Sequence, residues 1–238
     1  MTKEKNNDKK QIDKYQPKGL TILYEDKEII VIDKSSGLLT IANDKERNKT
    51  AYIELNNYVR KGNNQSKNRI FIVHRLDRDT SGVLVFAKTE KAKHFLQEEW
   101  EKFSKQYFAV VHGRMDKREG IITSYLAENK IHRMYSVDES ENGKLAKTGW
   151  KVFKESPNFS LLKVDLFTGR KNQIRVHLAE NGCPVVGDRM YGKKDKTSNR
   201  LALHAGAITI IHPYTKEEMT FMAPIPKLFK AIIKNDKK

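Results

Sequence analysis

The sequence predicts an α+β fold in which a mixed, mostly antiparallel β-sheet carries flanking helices and loops. Many short runs of β-branched and apolar residues recur along the chain, separated by turn signals. Segments with helical spacing are few and irregularly placed, which disfavours alternating β-α units. The 238 residues contain no internal repeat or interdomain linker, and they suffice for one large core.

The elements follow from these patterns in chain order. The expected strands cover residues 20–24, 29–32, 70–73, 83–87, 105–113, 121–126, 147–153, 159–167, 201–211 and 219–222. Apolar residues at helical spacing predict helices over 51–59, 89–103 and 171–180. Residues 132–143 are hairpin-like, and 61–69 and 192–199 are basic loops. The chain from Lys227 onward is a basic tail that we expect to be frayed.

The chain ends and the single cysteine bear on where the protein works. Residues 1–18 are rich in Lys, Asn and Asp, and we expect a disordered basic arm there, followed by one domain over 19–238. No secretory signal and no run of roughly 20 apolar residues is present. Cys183 has no partner for an intramolecular disulfide. These features predict a cytoplasmic protein without a membrane association.

The charge balance points to a polyanionic partner. Lys and Arg number 46 against 30 Asp and Glu, which gives a formal net charge of +16. Such an excess on a folded chain is typical of nucleic-acid binding. Charge alone does not separate RNA from DNA, so a DNA-binding module stays an alternative.

The stretch 73–85 concentrates charged residues between two predicted buried strands. It reads Val-His-Arg-Leu-Asp-Arg-Asp-Thr-Ser-Gly-Val-Leu-Val, with Thr-Ser-Gly as a turn signal. Charges at a sheet edge suit either a functional site or a salt-bridged connection, and the physics weighs the two about equally. A kinase catalytic loop is excluded because Leu76 interrupts His-Arg-Asp and the other kinase motifs are missing. A triad of Ser81, His74 and Asp79 lacks the nucleophile-elbow glycines.

A second stretch, 166–177, reads Leu-Phe-Thr-Gly-Arg-Lys-Asn-Gln-Ile-Arg-Val-His. A strand ends at its glycine and a helix begins with basic side chains, which suits phosphate or carboxylate binding. Taken alone, the pattern favours an ordinary basic helix over a binding site. Neither a nucleotide-binding loop nor zinc-ligand spacing occurs in the chain, so we expect no cofactor and no metal.

Both stretches resemble the signatures of the RluA-type pseudouridine synthases. The first is similar to the family's His-Arg-Leu-Asp motif, and the second to Thr-Gly-Arg-Thr-His-Gln-Ile-Arg-Val-His, with Asn172 where histidine is usual. The strand Lys105-Gln-Tyr107 is similar to the family's Lys-x-Tyr strand, and Ser35-Ser36 replaces the usual Pro-Ala. The similarity covers about residues 20–227. It implies the pseudouridine synthase fold around a basic cleft, in a single catalytic domain without a separate N-terminal RNA-binding domain.

The resemblance also implies roles for individual residues. Asp77 would be the catalytic carboxylate, Arg175 its ion-pair partner, and Tyr107 the ring that packs on the target uracil. Arg75 would hold the RNA with its base extruded, although it is also placed to be a simple salt-bridge partner of Asp77. The remaining residues expected to bind RNA are Arg78, Arg170 and Lys171.

The implied activity is the isomerisation of specific uridines to pseudouridine in structured ribosomal or transfer RNA, by an enzyme that is a monomer by default. Asp77 would act as nucleophile or as base, and the sequence leaves both open. The alternative is a non-catalytic RNA-binding or ribosome-assembly protein on the same fold.

Overall fold

A computed structural model describes residues 15–44, 46–63, 65–139, 142–192 and 196–236. The strands are β1 Leu20–Glu25, β2 Ile29–Lys34, β3 Phe71–Ile72, β4 Ser81–Ala87, β5 Ser104–His112, β6 Glu119–Glu128, β7 Met134–Val137, β8 Lys144–Glu155, β9 Phe159–Leu166, β10 Leu203–Ile211 and β11 Glu218–Met222. The α-helices are α1 Ala51–Arg60, α2 Glu90–Glu98, α3 Gln173–Glu180 and α4 Lys227–Asn235, and a 3₁₀ turn spans Trp100–Lys102.

All the described strands join one sheet in the order β1-β2-β4-β10-β5-β9-β8-β6-β7, with β3 also on β4 and β11 also on β10. Every pairing is antiparallel except that of β4 with β10, where Ser81 lies opposite His204 and Gly82 opposite Ala205. The predicted α+β class with a mostly antiparallel sheet is confirmed. The parallel pair joins the end of the stretch 73–85 to the middle of the sheet.

The strands at the centre of the sheet are buried on both faces. Residues 29–32 of β2 and every residue of β4 are buried, which explains their unbroken apolar runs. Helices cover these strands, with Leu55 of α1 and Leu96 of α2 in separate apolar clusters. The stretch 73–85 therefore ends in a fully buried strand of the core.

Local capping sets the helix boundaries. Thr50 and Thr89 accept hydrogen bonds at their side-chain oxygens from the backbone N–H three residues on, which starts α1 and α2. The helix predicted over 89–103 is shorter than expected, because α2 ends at Glu98 and the chain tightens into the 3₁₀ turn. Phe103, predicted on its apolar face, is buried just beyond that turn.

The prediction of a frayed C-terminal tail is wrong. Residues 227–235 form α4, and Phe229 and Ile232 enter the same apolar cluster as β5 and β9. These residues, with Leu228 and Ile233, make an apolar stripe at helical spacing that the intervening lysines obscured.

The predicted N-terminal arm falls mainly on residues 1–14, which lie outside the described residues. Of the rest, Pro17 is buried and the Lys18 backbone N–H donates to Glu54 Oε2 at 3.0 Å, so the folded part includes positions 17 and 18. No helix in the described ranges is long and apolar enough to cross a membrane.

Candidate active site

The stretch 72–80, the start of α3 and strand β5 enclose a cleft of about 700 Å³. Among the described residues that line it, Asp77 is the only carboxylate. Six cationic side chains surround it: Arg75, Arg78, Lys105, Arg170, Lys171 and Arg175. The predicted basic cleft is therefore present, and it contains all seven residues predicted as site residues, including Tyr107.

Backbone hydrogen bonds fix the loop that carries Asp77. The hydroxyl of buried Thr40 donates to the Leu76 carbonyl at 2.8 Å and accepts from the Leu76 N–H at 3.2 Å. Ser36 Oγ donates to the Asp79 carbonyl at 2.7 Å, and the Thr80 N–H donates to the Asp77 carbonyl at 3.2 Å. The Asp77 side chain thus projects from a backbone held on both sides.

The fully buried side chain of Lys34 also anchors this loop. Lys34 Nζ donates to the carbonyls of Leu38 at 2.7 Å, Arg78 at 3.0 Å and Ser35 at 3.1 Å. Burial lowers the pKa of Lys34 to about 8, against the nearby negative charges of Asp79 and Asp77, which raise it. The three hydrogen bonds tie the turn after β2 to the loop of Asp77.

Arg175 approaches Asp77 as predicted, but its main partner is a different carboxylate. Its Nη1 lies 3.6 Å from Asp77 Oδ2, whereas Nε and Nη2 donate to the two oxygens of Asp188 at 2.7 and 2.8 Å. Asp188 is 0% exposed and Arg175 13%, while Asp77 is 39% exposed. Burial acts to raise the pKa of Asp188, but hydrogen bonding and charge from Arg175 outweigh it, so this pKa is lowered.

Asn172 and Tyr191 also contact the Arg175 guanidinium. Asn172 Oδ1 accepts from Arg175 Nη1 at 3.0 Å, and the Tyr191 ring lies 5.1 Å below the guanidinium. Asn172 has a φ of 53°, a left-handed conformation that asparagine tolerates better than most residues. The departure from the family pattern at this position therefore contributes directly to the site.

Tyr107 extends from β5 into the cleft next to Asp77. Burial raises the pKa of its hydroxyl well above the usual range, and the negative charge of Asp77 raises it further. The hydroxyl consequently stays neutral at physiological pH. A neutral, largely enclosed aromatic ring beside the only cleft carboxylate in the described lining is suited to packing on a planar base.

The chain is similar to known proteins over most of its length. Residues 28–180 match the RNA pseudouridylate synthase family. The chain belongs to this family. Its RluA-type character follows from relatives such as the ribosomal large subunit pseudouridine synthase D of Nitrosomonas europaea, 33% identical over 90% of this chain and 64% of that protein.

Two further similarities extend over most of the chain. The uncharacterized RNA pseudouridine synthase YlyB of Bacillus subtilis is 34% identical over 94% of this chain and 75% of its own length. The structure of human RNA pseudouridylate synthase domain containing 4 superposes with a TM-score of 0.76 at 22% identity, covering 94% of this chain and 96% of that one. The predicted family, fold and enzyme class are confirmed, and the chain is an RNA pseudouridine synthase.

The residues expected to bind RNA in this synthase differ in how many hydrogen bonds and ion pairs they make within the protein. Arg75 is exposed, and within the described ranges no hydrogen bond or ion pair reaches it, so it is not a salt-bridge partner of Asp77. Arg78 donates to the Gly37 carbonyl at 3.1 Å, and Arg170 to the Leu145 carbonyl at 3.0 Å. Lys171 lies 2.6 Å from Glu128 Oε1, which partly neutralises it.

Ser81, His74 and Asp79 do not form a catalytic triad in the synthase, because His74 and Ser81 each contact other residues. His74 Nε2 accepts from the Val85 N–H at 3.0 Å and its ring stacks on Trp100, while Ser81 lies 2.8 Å from His204. Burial lowers the pKa of His74 to about 3, so it stays neutral and structural. In the described part of the chain no cluster of three or more His, Cys, Asp or Glu could hold a metal.

Sequence reasoning missed Lys34, Asp188 and Tyr191. Asp188 follows buried Val185 and Val186 and a glycine, a position that indicates a turn as readily as a functional carboxylate. Its role depends on a contact with Arg175, thirteen residues earlier in the chain. No local pattern specifies that contact.

Proposed function

We propose that this synthase converts uridine to pseudouridine in structured RNA with Asp77 as its catalytic carboxylate and the target base flipped out into the cleft. The observation that carries the proposal is the isolation of Asp77. It is the only carboxylate among the described residues of a cationic cleft that also contains Tyr107, and it lies 3.6 Å from the Arg175 guanidinium. Such an anion suits a reaction that develops positive charge on a sugar.

The proposed reaction is a rearrangement within one nucleotide. The bond from ribose C1′ to uracil N1 breaks, the uracil turns in place, and uracil C5 bonds to the same C1′ while its hydrogen leaves as a proton and N1 gains one. Atoms and electrons balance without a redox partner or an energy source. Asp77 acts either by attack on C1′ or by removal of the proton at C2′ to form a glycal.

Base extrusion explains the residues around Asp77. Unstacking a base costs a few kcal/mol, which packing on Tyr107 would offset. Arg75, exposed and without a partner in the described ranges, is free to occupy the space that the base leaves. Arg78, Arg170 and Lys171 line the same cleft and would contact phosphates.

Ribosomal RNA is the substrate class that we propose first, with transfer RNA as the alternative. Relatives whose names specify a substrate include the ribosomal large subunit pseudouridine synthases D of Nitrosomonas europaea and C of Vibrio vulnificus. We propose that the synthase acts as a monomer by default. A cytoplasmic location fits the proposed ribosomal substrate.

Tritium release tests the proposal, because bonding at uracil C5 expels a hydrogen label carried there. The substrate is 5-tritiated uridine RNA from a strain that lacks the protein. We expect release by wild type and none by Asp77→Asn, which still binds the RNA in a filter assay. Asp116→Asn, the same change of charge at an exposed aspartate outside the cleft, is the matched control and should retain release.

Three outcomes contradict parts of the proposal. Release by Asp77→Asn at the wild-type rate would remove Asp77 as the catalytic carboxylate. Tight RNA binding without release by wild type would favour the ribosome-assembly alternative. Equal competition by duplex DNA would favour the DNA-binding module.

A further inference from the structure

A second cavity, of about 540 Å³, lies behind the loop that carries Asp77. The two cavities share a wall of chain, because Arg78 and Thr80 line the cleft whereas Asp79 and Ser81 line this second pocket. Its volume falls within the range of about 300–1,000 Å³ typical of small-ligand sites. We refer to it as the rear pocket.

The rear pocket contains charged groups of both signs with unused hydrogen-bonding capacity. Asp33 is half-buried, and no hydrogen bond or ion pair from the described residues reaches its carboxylate. Arg189 is exposed and, within those residues, equally unpaired. Burial raises the pKa of Asp33, against the positive charges of Arg200 and Lys34, so its desolvation is only partly compensated.

The guanidinium of Arg200 is held at the pocket wall. Its Nη2 donates to Ser81 Oγ at 2.7 Å, which leaves the Ser81 hydroxyl able to donate to His204 Nδ1 at 2.8 Å. The Phe229 ring lies 5.6 Å from this guanidinium. Arg200 is therefore a fixed cation that lines the rear pocket and not the catalytic cleft.

The combination of fixed acceptors and cations selects the class of ligand. A free anion would be repelled by Asp33 and Asp79, and a metal ion by Arg189 and Arg200. A nucleotide satisfies both sets, because its phosphate accepts hydrogen bonds and its base and ribose donate them.

We propose that the rear pocket binds a second unpaired nucleotide of the RNA substrate, with its phosphate on Arg189 and Arg200 and its base or ribose N–H and O–H groups on Asp33. This inference rests on the proposed function, since it requires an RNA strand to lie across the shared wall. The synthase then recognises two nucleotides of one strand, the target at Asp77 and a neighbour behind the loop. Discrimination among uridines arises partly at this second position.

The test compares KM for tritium release among three single variants. Arg189→Gln and Asp33→Asn each remove one proposed contact, and Lys154→Gln changes an exposed lysine of β8 as the control. We expect KM about tenfold higher for Arg189→Gln and for Asp33→Asn, with kcat changed less than threefold. Lys154→Gln should stay within twofold of wild type.

The Asp33 variant separates a specific contact from general charge. Removing a negative charge strengthens nonspecific attraction to RNA, so charge alone predicts a lower KM for Asp33→Asn. A lower or unchanged KM in this variant overturns the inference, as does a KM for Arg189→Gln equal to that of Lys154→Gln. Arg189 has no partner to lose in the described fold, so its variant stays informative if Asp33→Asn is unstable.

Failure of the proposed function gives a different result. In that case wild type releases no tritium at all, and no KM is measurable for any variant. Release by wild type with variant KM values that match the control leaves the function intact and removes only the second nucleotide site.

Discussion

Arg175 meets Asp188 through two parallel hydrogen bonds of 2.7 and 2.8 Å, so that its remaining nitrogen faces Asp77 at 3.6 Å. This two-point contact fixes the plane of the guanidinium, which a single contact to Asp77 would not. The carboxylate proposed to be catalytic therefore depends on a second, buried carboxylate for the position of its counter-charge.

Asp188→Asn should impair turnover more than RNA binding. The amide presents one acceptor and no charge, so the guanidinium loses its orientation, and breaking a buried ion pair costs about 3–5 kcal/mol of unfolding free energy. We expect kcat to fall at least tenfold at a temperature where the variant is folded, with KM nearly unchanged. Tritium release and urea unfolding measure the two effects.

Glu90→Gln is the matched control for Asp188→Asn. Glu90 pairs with Arg69, and both side chains are more than half exposed, so its loss should cost no more than about 1 kcal/mol. A folded Asp188→Asn variant with wild-type kcat would contradict the positioning role of Asp188.

Local patterns were enough to predict most strands and the residues of the cleft. The short apolar runs predicted β2 and β4 because these strands are buried on both faces. The pairing of Arg175 with Asp188 and the contact of Lys34 with the Arg78 carbonyl could not be predicted from the sequence. They join residues that are adjacent only after the sheet has formed, and a charged residue's neighbours in sequence do not reveal its partner in space.

Lys34 should give the reaction an alkaline limit near pH 8. Its pKa is lowered to about 8, and the neutral amine keeps two N–H donors for three carbonyls, so one of the three contacts that hold the turn after β2 to the Asp77 loop is lost. We expect kcat to decline as pH rises from 7 to 9. In Lys34→Arg, whose guanidinium stays charged, that decline should disappear.

The unfolding free energy should not fall with rising pH in the way that kcat does. The usual pKa of lysine, 10.5, lies above the folded value, so between pH 8 and 10.5 the unfolded chain binds more protons at Lys34. The contribution of Lys34 to the unfolding free energy therefore rises with pH in this window. A parallel fall of kcat and Tm near pH 8 would indicate global unfolding and contradict the role of Lys34.

Gly82→Ala should disrupt the parallel contact between β4 and β10. Gly82 has a φ of 114°, and an added Cβ would lie 2.1 Å from the Ala205 carbonyl oxygen. Relief requires moving the central strands apart, which costs about 1–3 kcal/mol or more. Gly169→Ala is the control, since nothing lies within 4 Å of an added Cβ there. Equal Tm values for the two variants would show that the strand contact tolerates a side chain.

Phe229→Ala tests whether α4 belongs to the folded core. Phe229 is 0% exposed and packs with residues of β5 and β9, so its truncation should lower the unfolding free energy by about 3–5 kcal/mol. Lys230→Ala, the exposed neighbour on the same helix, should change it by no more than about 0.5 kcal/mol.

Urea unfolding distinguishes the packed helix from the frayed tail predicted by the sequence. A frayed tail would make the two variants indistinguishable, because neither side chain would be buried. Phe229 also faces the Arg200 guanidinium at 5.6 Å, so a packed α4 supports one wall of the rear pocket. If Phe229→Ala leaves stability unchanged, this support is absent and the fixed position of Arg200 must come from its hydrogen bonds to Ser81 Oγ and the Leu201 carbonyl.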